Sequence, residues 1–154
     1  MTKLFITAEQ VKATTSISSG TDSDLLLQKI YYAQISDITR ILGQSLVDKI
    51  TLDFLNLTGV YKIIFEKYII DMHVFYTAYY FTLFNEVKSS NVGNTILSVA
   101  NGQPTQKTIQ LAEQYKNLAV TIEDNFRKYM ESVNIVEWNC DKKDEETTNF
   151  NDFY

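Results

Sequence analysis

Long stretches free of helix-breaking residues constrain this chain more than any other feature of its sequence. There is one proline, Pro104, and there are five glycines among the 154 residues. Proline removes a backbone donor and clashes with the preceding helical turn, and glycine weakens a helix through its backbone freedom. Residues 24–42, 60–88 and 105–132 contain neither, and each stretch repeats apolar residues at intervals of three and four. The sequence therefore predicts an all-α fold, a small helical bundle with a core of its own.

The first two long helices are predicted to meet at a tight corner. One runs from about residue 24 to 42 and the next from about 45 to 57, with Gly43 as the left-handed residue between them. Gly59 is predicted to end the second helix in the same way. The predicted core faces are Leu27, Ile30, Tyr31, Ile38, Ile41 and Leu42 on the first helix and Leu46, Val47, Ile50, Phe54 and Leu57 on the second.

A polar side chain interrupts the apolar face of the first long helix. Gln34 is flanked at helical spacing by Ile30, Tyr31 and Ile38, so its amide is predicted to be buried. Buried amides need hydrogen-bond partners. We expect these partners to be backbone groups of the N-terminal segment or of a nearby helix end, and Gln34 to be an architectural clamp.

Residues 60–88 are predicted to form the long central helix of the bundle. Their apolar residues cover most of the helix circumference, which requires cover on several sides, from this chain or from a neighbouring subunit. The most membrane-like part, residues 69–87, is interrupted by Asp71, His73 and Glu86. A membrane-spanning helix needs roughly 20 apolar residues. The pattern therefore predicts a buried helix and no membrane partner.

One long loop is predicted between residues 88 and 106. It holds the only proline, and its "TILSVA" stretch has the pattern of a short strand or hairpin arm. Loops of this length in compact domains are usually functional or mobile. Its candidate partner-binding residues are Asn91, Asn94, Ile96 and Val99.

The last long helix, from about residue 105 to 132, is predicted to be amphipathic on one side. Its predicted core face consists of Leu111, Tyr115, Leu118, Ala119, Ile122, Phe126, Tyr129, Met130 and Val133. Its predicted outer face carries Lys116, Glu123, Asp124, Arg127 and Lys128.

The character of the chain changes after residue 135. Residues 1–135 are predicted to form the helical domain, and residues 136–154 an extended, acidic and aromatic C-terminal tail. Apolar residues that follow a charged linker often dock on a partner, and a disordered tail is the equal alternative. The candidate partner-binding residues of the tail are Trp138, Phe150, Phe153 and Tyr154.

Recognisable catalytic motifs are missing from the sequence. A zinc or di-iron centre needs several His, Cys or carboxylate ligands, and the chain has one histidine, His73, and one cysteine, Cys140. The stretch "NVGNTI" offers a single glycine, too few for a phosphate-binding loop. We expect no enzyme activity, no metal and no cofactor, with His73 as a structural histidine and Cys140 as an incidental thiol.

The charge of the chain bounds its partners. Its formal net charge is −5, whereas a surface that grips nucleic acid needs clustered Lys and Arg. The N-terminal "MTKLFITAEQ" lacks the apolar stretch of a signal peptide, so we expect synthesis in the cytoplasm.

The order of three segments resembles a known family. "TDSDLLLQKIYYAQISDITRILGQSLVDKI", then "SSNVGNTI", then "AEQYKNLAVTIEDNFRKYM" are similar to the small helical head–tail connector (adaptor or ring) proteins of tailed bacteriophages. The likeness is greatest to versions from crAss-like and other Bacteroides-type phages. It covers roughly residues 4–135, and Ala33–Gln34 and Ile41–Gly43 are its most specific parts.

The resemblance implies a structural virion protein without enzyme activity or cofactor. Such subunits form a homo-oligomeric ring, commonly of twelve copies, at the head–tail junction. The ring contacts the portal protein and further connector or tail proteins, and genomic DNA only passes through its lumen. The tail from Glu137 onward departs from the family pattern. Two other hypotheses stay open: a small cytoplasmic partner-binding or regulatory module, and an enzyme that uses His73 with carboxylates of the central helix.

Overall fold

The computed structural model describes residues 3–84 and 106–139. All regular structure in these two ranges is helical, with no strand among them, so the predicted all-α fold is confirmed. The first helix, α1, spans Ala8–Thr14 and begins with a capping box. In this box, the Thr7 hydroxyl accepts from the Gln10 backbone N–H, and the Gln10 side chain accepts from the Thr7 N–H.

The helix α2 is continuous but changes its winding. It consists of an α-helical part, Ser23–Ala33, a π-helical turn, Gln34–Ile38, and a last α-helical turn, Thr39–Leu42. Gly43 follows with φ 78°, a backbone conformation that favours glycine, and α3 begins directly after it over Gln44–Leu52. The predicted corner at Gly43 is therefore confirmed.

The turn after α3 differs from the prediction. The helix ends at Leu52, and the Asn56 backbone N–H donates to the Asp53 carbonyl at 2.7 Å within a tight turn. Phe54 therefore lies outside any helix, and its ring packs against those of Phe5 and Phe65. Gly59, with φ 55°, begins the next helix, so its predicted role as a helix end was wrong.

The central helix of the bundle is α4, which also contains a π-helical turn. Its parts are Gly59–Ile64, the π-helical turn Phe65–Ile69, and Ile70–Phe84. The helix α5, Gln106–Ser132, packs along one side of α4, while α1 and α2 pack on others. Cover from several sides accounts for the apolar circumference of α4. A further helical turn at 136–139 follows α5.

The buried side chains form two hydrophobic clusters. The first cluster joins α2, α3, α4, α5 and the turn 136–139, and Ile38, Leu46, Met72 and Phe126 lie at its centre. The second cluster joins α1, α2 and α4 through Val11, Leu26, Ile30, Val74 and Phe81. In the described ranges, no helix is both long and apolar enough to cross a membrane.

Two predicted core faces are shifted in the structure. In the first part of α2, Ser23–Ala33, the buried residues are Leu26, Ile30 and Ala33, whereas Leu27 and Tyr31 are 38% and 48% exposed. Residues 25–27 are all leucine, so spacing alone does not select the buried one, and the π-helical turn then changes the register. On α5, Leu118 is 47% exposed because Ala112 and Ala119 form the line against α4, where small side chains allow close approach.

Candidate functional site at the π-helical turn of α2

The π-helical turn of α2 contains the sequence "QISDI", in which two buried residues are polar. Gln34 is 2% exposed and Asp37 is 9% exposed. A π-helical turn carries an i to i+5 bonding pattern and is frequent at functional sites. The π-helical turn of α2 is therefore a candidate functional site.

Gln34 fastens the N-terminal segment to α2. Its Oε1 accepts from the Phe5 backbone N–H at 2.9 Å, and its Nε2 donates to the Lys3 carbonyl at 2.8 Å. Both ends of the amide are therefore paired with backbone groups that belong to no helix or strand. The prediction that Gln34 clamps the N-terminal segment is confirmed.

Asp37 links α2 to α4. Its Oδ2 accepts from the Tyr80 hydroxyl at 2.7 Å and from the Ser36 hydroxyl at 2.9 Å. Its Oδ1 lies 3.6 Å from Nη2 of Arg40, one helical turn further along α2. The carboxyl group thus has a hydrogen-bond donor or a positive charge at each oxygen.

Glu123 makes the equivalent link from α5. Its Oε2 accepts from the Tyr76 hydroxyl at 2.9 Å and lies 3.6 Å from Nη2 of the same Arg40. Its Oε1 accepts from Nη2 and Nε of Arg127 at 2.8 and 3.1 Å. The sequence pattern placed Glu123 on the outer face of its helix, but its side chain is only 12% exposed. That prediction was wrong because Tyr76 and the two arginines bury the carboxylate.

These residues form one charge-balanced group, the polar cluster: Asp37, Arg40, Tyr76, Tyr80, Glu123 and Arg127. Burial alone raises the pKa of Glu123, but hydrogen bonds from Arg127 and Tyr76 and the charge of Arg40 outweigh it and hold that pKa below its usual value. Burial lowers the pKa of Arg40, and the charges of Glu123 and Asp37 reverse this to a net rise. The polar cluster therefore keeps the Glu123 carboxylate and the Arg40 guanidinium in their charged forms.

The two tyrosines of the polar cluster act as donors. Burial, together with the hydrogen bond to Asp37, raises the pKa of Tyr80 to about 12. Burial and the bond to Glu123 also raise the pKa of Tyr76. Both phenols therefore stay protonated at neutral pH. A catalytic carboxylate or base needs an open position for substrate. Here each carboxylate oxygen faces a donor of the same chain, so the arrangement is suited to joining α2, α4 and α5.

His73 is buried in the interior and has no exposed surface. Its Nε2 lies 3.0 Å from the Ile30 carbonyl of α2, and burial lowers the pKa of the ring to about 4. The structure thus places it away from solvent, as a neutral residue between α4 and α2. In the described part of the chain, no group of three or more His, Cys, Asp and Glu side chains is arranged to hold a metal ion.

Two surface hollows lie away from the polar cluster. One, of about 400 Å³, is lined by residues of 130–139, among them Trp138 and Asn139. The other, of about 270 Å³, is lined by Ile17, Phe81 and Tyr115 among others. Neither hollow is lined by a residue of the polar cluster.

Trp138 is the one predicted partner-binding residue within the described ranges. It is 4% exposed, and its ring packs edge-on against Phe126 at 5.4 Å in the first cluster. Nearby, Glu137 accepts from the Tyr61 hydroxyl at 2.8 Å. This corrects the prediction, because the side chain is used by the chain's own core and residues 136–139 are helical instead of extended. The other candidates, Asn91, Asn94, Ile96, Val99, Phe150, Phe153 and Tyr154, lie outside the described residues.

An apolar stripe is exposed on the outer side of α2. Leu27, Tyr31 and Ile35 follow at intervals of four residues and are 38%, 48% and 50% exposed. Exposed apolar patches on soluble proteins often mark interaction sites. We call these three residues the α2 stripe.

The fold and the polar cluster define the chain as an all-α bundle whose helices are joined by partly buried polar contacts. Comparisons with models of protein families, with curated proteins and with solved structures find no match for the chain.

Proposed function

We propose that the chain is a structural virion protein, a subunit of the head–tail connector ring of a tailed bacteriophage. In this role it docks below the portal protein, contacts further connector or tail proteins and extends the channel for the genome. The proposal rests on the resemblance of residues 4–135 to that family. The α2 stripe is the single structural observation that carries it, because a ring subunit needs surface for its neighbours.

The chemistry of the polar cluster supports a structural role. Its carboxylates, guanidinium groups and phenols are paired with one another across three helices. Such a saturated network rigidifies a domain without offering groups for reaction. A subunit that withstands packed DNA and tail forces benefits from helices joined in this way.

The charge balance also supports a conduit for DNA. A net charge of −5 disfavours tight contacts with phosphates, and a basic lumen would hold DNA instead of letting it pass. In this proposal the partners are other copies of the chain, in a ring of about twelve by family resemblance, and the proteins above and below it.

Electron cryomicroscopy of virions that carry this chain tests the proposal directly. We expect density for a ring of the bundle at the portal vertex, between head and tail. Absence of the chain from purified virions overturns the connector role. That result would favour the alternative function, a small cytoplasmic helical module that binds a partner or has a regulatory role.

A pair of variants tests the α2 stripe in the same assay. Ile35→Asp places a charge at one end of the α2 stripe and is expected to reduce incorporation into particles while the isolated chain stays folded. Val120→Asp is the matched control, because Val120 is 39% exposed on α5 and lies outside the stripe. Equal incorporation of both variants and the unmodified chain shows that the stripe is not a contact.

A further inference from the structure

Two buried polar atoms on α4 lack a hydrogen-bond partner among the described residues. They are Nδ1 of His73 and Oγ1 of Thr77, and neither side chain has exposed surface. Residues four apart on a helix lie one above the other on the same face. The two unpaired atoms therefore belong to neighbouring side chains that point to the same side of α4.

The hydrogen bond of His73 to α2 defines what its other nitrogen requires. A backbone carbonyl only accepts, so Nε2 carries the hydrogen that is donated to the Ile30 carbonyl at 3.0 Å. The neutral ring then presents a lone pair at Nδ1, which needs a donor. The low pKa of His73, about 4, agrees with a ring that is neutral at pH 7.

Thr77 differs from other threonines of the helices in how its hydroxyl is used. The hydroxyls of Thr15, Thr51 and Thr121 donate to the carbonyl four residues earlier, at 2.7 to 2.8 Å. The Thr77 hydroxyl makes no such bond to its own helix. It is therefore available for a partner on the face that it shares with His73.

The surroundings of the pair are apolar on both sides. Met72 and Tyr76 belong to the first cluster, and Val74 and Phe81 belong to the second. His73 and Thr77 thus lie in the seam between the clusters. A buried polar atom without a partner is costly, and most such atoms in folded proteins are paired with protein or with an internal water molecule.

We propose that one internal water molecule binds in this seam, donating to His73 Nδ1 and exchanging a second hydrogen bond with Thr77 Oγ1. Water suits the pair because it supplies the donor that Nδ1 requires and both donates and accepts at a hydroxyl. A metal ion does not suit the pair, because one imidazole and one hydroxyl are too few ligands and no carboxylate or thiol completes the set among the described residues. The bound water thus links His73 and Thr77, on consecutive turns of α4, within the seam.

A crystal structure of the full chain at high resolution is the direct test. We expect ordered density within hydrogen-bond distance of both His73 Nδ1 and Thr77 Oγ1. A direct bond from the Thr77 hydroxyl to Nδ1, or to the His73 carbonyl, overturns the proposal. A seam without water density overturns it as well.

Thr77→Val gives an independent test through the sign of its effect. Valine keeps the shape of threonine but removes the hydroxyl, so the variant is expected to lower the midpoint of thermal unfolding by removing a partner of the water. If the hydroxyl were simply unpaired, the same change would raise that midpoint or leave it unchanged, because an apolar group would replace a costly polar one. Thr121→Val is the control, since the Thr121 hydroxyl bonds its own helix on the exposed side of α5.

The single histidine makes the ring nitrogens readable by NMR. His73 is the only histidine of the chain, so its imidazole ¹⁵N signals need no assignment by mutation. We expect a proton on Nε2, an Nδ1 signal typical of a hydrogen-bonded acceptor, and a shift of that signal in Thr77→Val but not in Thr121→Val. An Nδ1 signal typical of an unpaired acceptor contradicts the proposal.

Discussion

The amide of Gln34 is expected to stabilise the whole bundle, and its replacement by methionine measures how much. Methionine keeps the length and apolar stem of glutamine but removes both hydrogen bonds, to the Phe5 N–H and the Lys3 carbonyl. Each bond contributes about 1 kcal/mol net, and a buried N–H left without an acceptor costs about 1–3 kcal/mol. The bond to the Phe5 N–H is buried, whereas the bond to the Lys3 carbonyl is only partly buried. In the methionine variant, water can therefore bond to the Lys3 carbonyl but not to the Phe5 N–H.

The expected loss for Gln34→Met is therefore about 2–3 kcal/mol in the free energy of unfolding. Urea unfolding followed by circular dichroism measures it, with the slope of the transition unchanged. Hydrogen exchange of the Phe5 amide should accelerate more than that of amides inside α4, because Gln34 bonds the Phe5 N–H directly and affects α4 only through the N-terminal segment. Gln28→Met is the matched control, since Gln28 lies exposed on the same helix.

The reasoning is refuted if Gln34→Met and Gln28→Met unfold at the same urea concentration and the Phe5 amide stays protected. Gln34→Glu tests the two hydrogen bonds separately, because it keeps one and removes the other. A carboxylate still accepts from the Phe5 N–H but meets the Lys3 carbonyl with an oxygen instead of a donor. We expect this variant to be less stable than the unmodified chain at neutral pH.

Four other predictions test the remaining features. Phe126→Asp is expected to prevent folding by burying a charge at a cost of several kcal/mol, whereas Leu118→Asp, at a half-exposed position, should change stability by less than about 1 kcal/mol in thermal melts. The pKa of His73 is about 4 in the folded state and 6.5 in the unfolded state, so the unfolded chain binds more protons between these pH values. His73 therefore lowers the free energy of unfolding by up to about 3 kcal/mol as the pH falls from 6.5 to 4. His73→Phe should remove this part of a pH titration of stability. Glu123→Gln should cost about 1–3 kcal/mol and, because the fold lowers the pKa of Glu123, remove a contribution that is present above pH 4.5 and lost below it. Removal of residues 137–154 should destabilise the bundle, because it takes Trp138 from the first cluster. Removal of residues 140–154 keeps Trp138 and its contact with Phe126. Urea unfolding of both truncated chains measures the difference.

The helices were predictable because their limits depend on local chemistry. The predicted last helix begins within a residue of Gln106 and ends at Ser132 as observed, and the corner at Gly43 follows from one left-handed residue. The clamp of Gln34 was also predictable, since an amide within an apolar face has to find backbone partners. In each case the information lies within a few neighbouring residues.

The polar cluster was not predicted because its pairs are distant in the sequence. Tyr80 and Asp37 are 43 residues apart, and Tyr76 and Glu123 are 47 apart. One local signal was present: Gln34, Asp37 and Arg40 repeat at intervals of three along a helix that is otherwise apolar on that side. A second buried polar residue in that register indicates a polar contact with another helix.

Trp138 and Gly59 show the limits of composition and of single-residue rules. The acidic sequence after Trp138 indicated a tail, but a tryptophan side chain is large enough to join a core from a single helical turn. A glycine with positive φ can precede a helix as well as follow one. The choice at Gly59 depended on the turn at residues 53–56, where Phe54 is held by Phe5 and Phe65.

Phe5 contacts both π-helical turns. Its backbone N–H is bonded to Gln34, the first residue of the π-helical turn in α2, and its ring packs edge-on at 5.8 Å against Phe65, the first residue of the π-helical turn in α4. A π-helical turn redirects the side chains that follow it, at a cost in hydrogen-bond geometry that surrounding contacts must offset. Here the same N-terminal residue supplies such a contact to both turns. Asp37, within the π-helical turn of α2, meets Tyr80, beyond the π-helical turn of α4, in the polar cluster, and Tyr76 joins the same cluster through Glu123. The N-terminal segment therefore stabilises the register of α2 and α4 that brings the cluster together, which is why loss of the Gln34 clamp should weaken contacts on the far side of both helices.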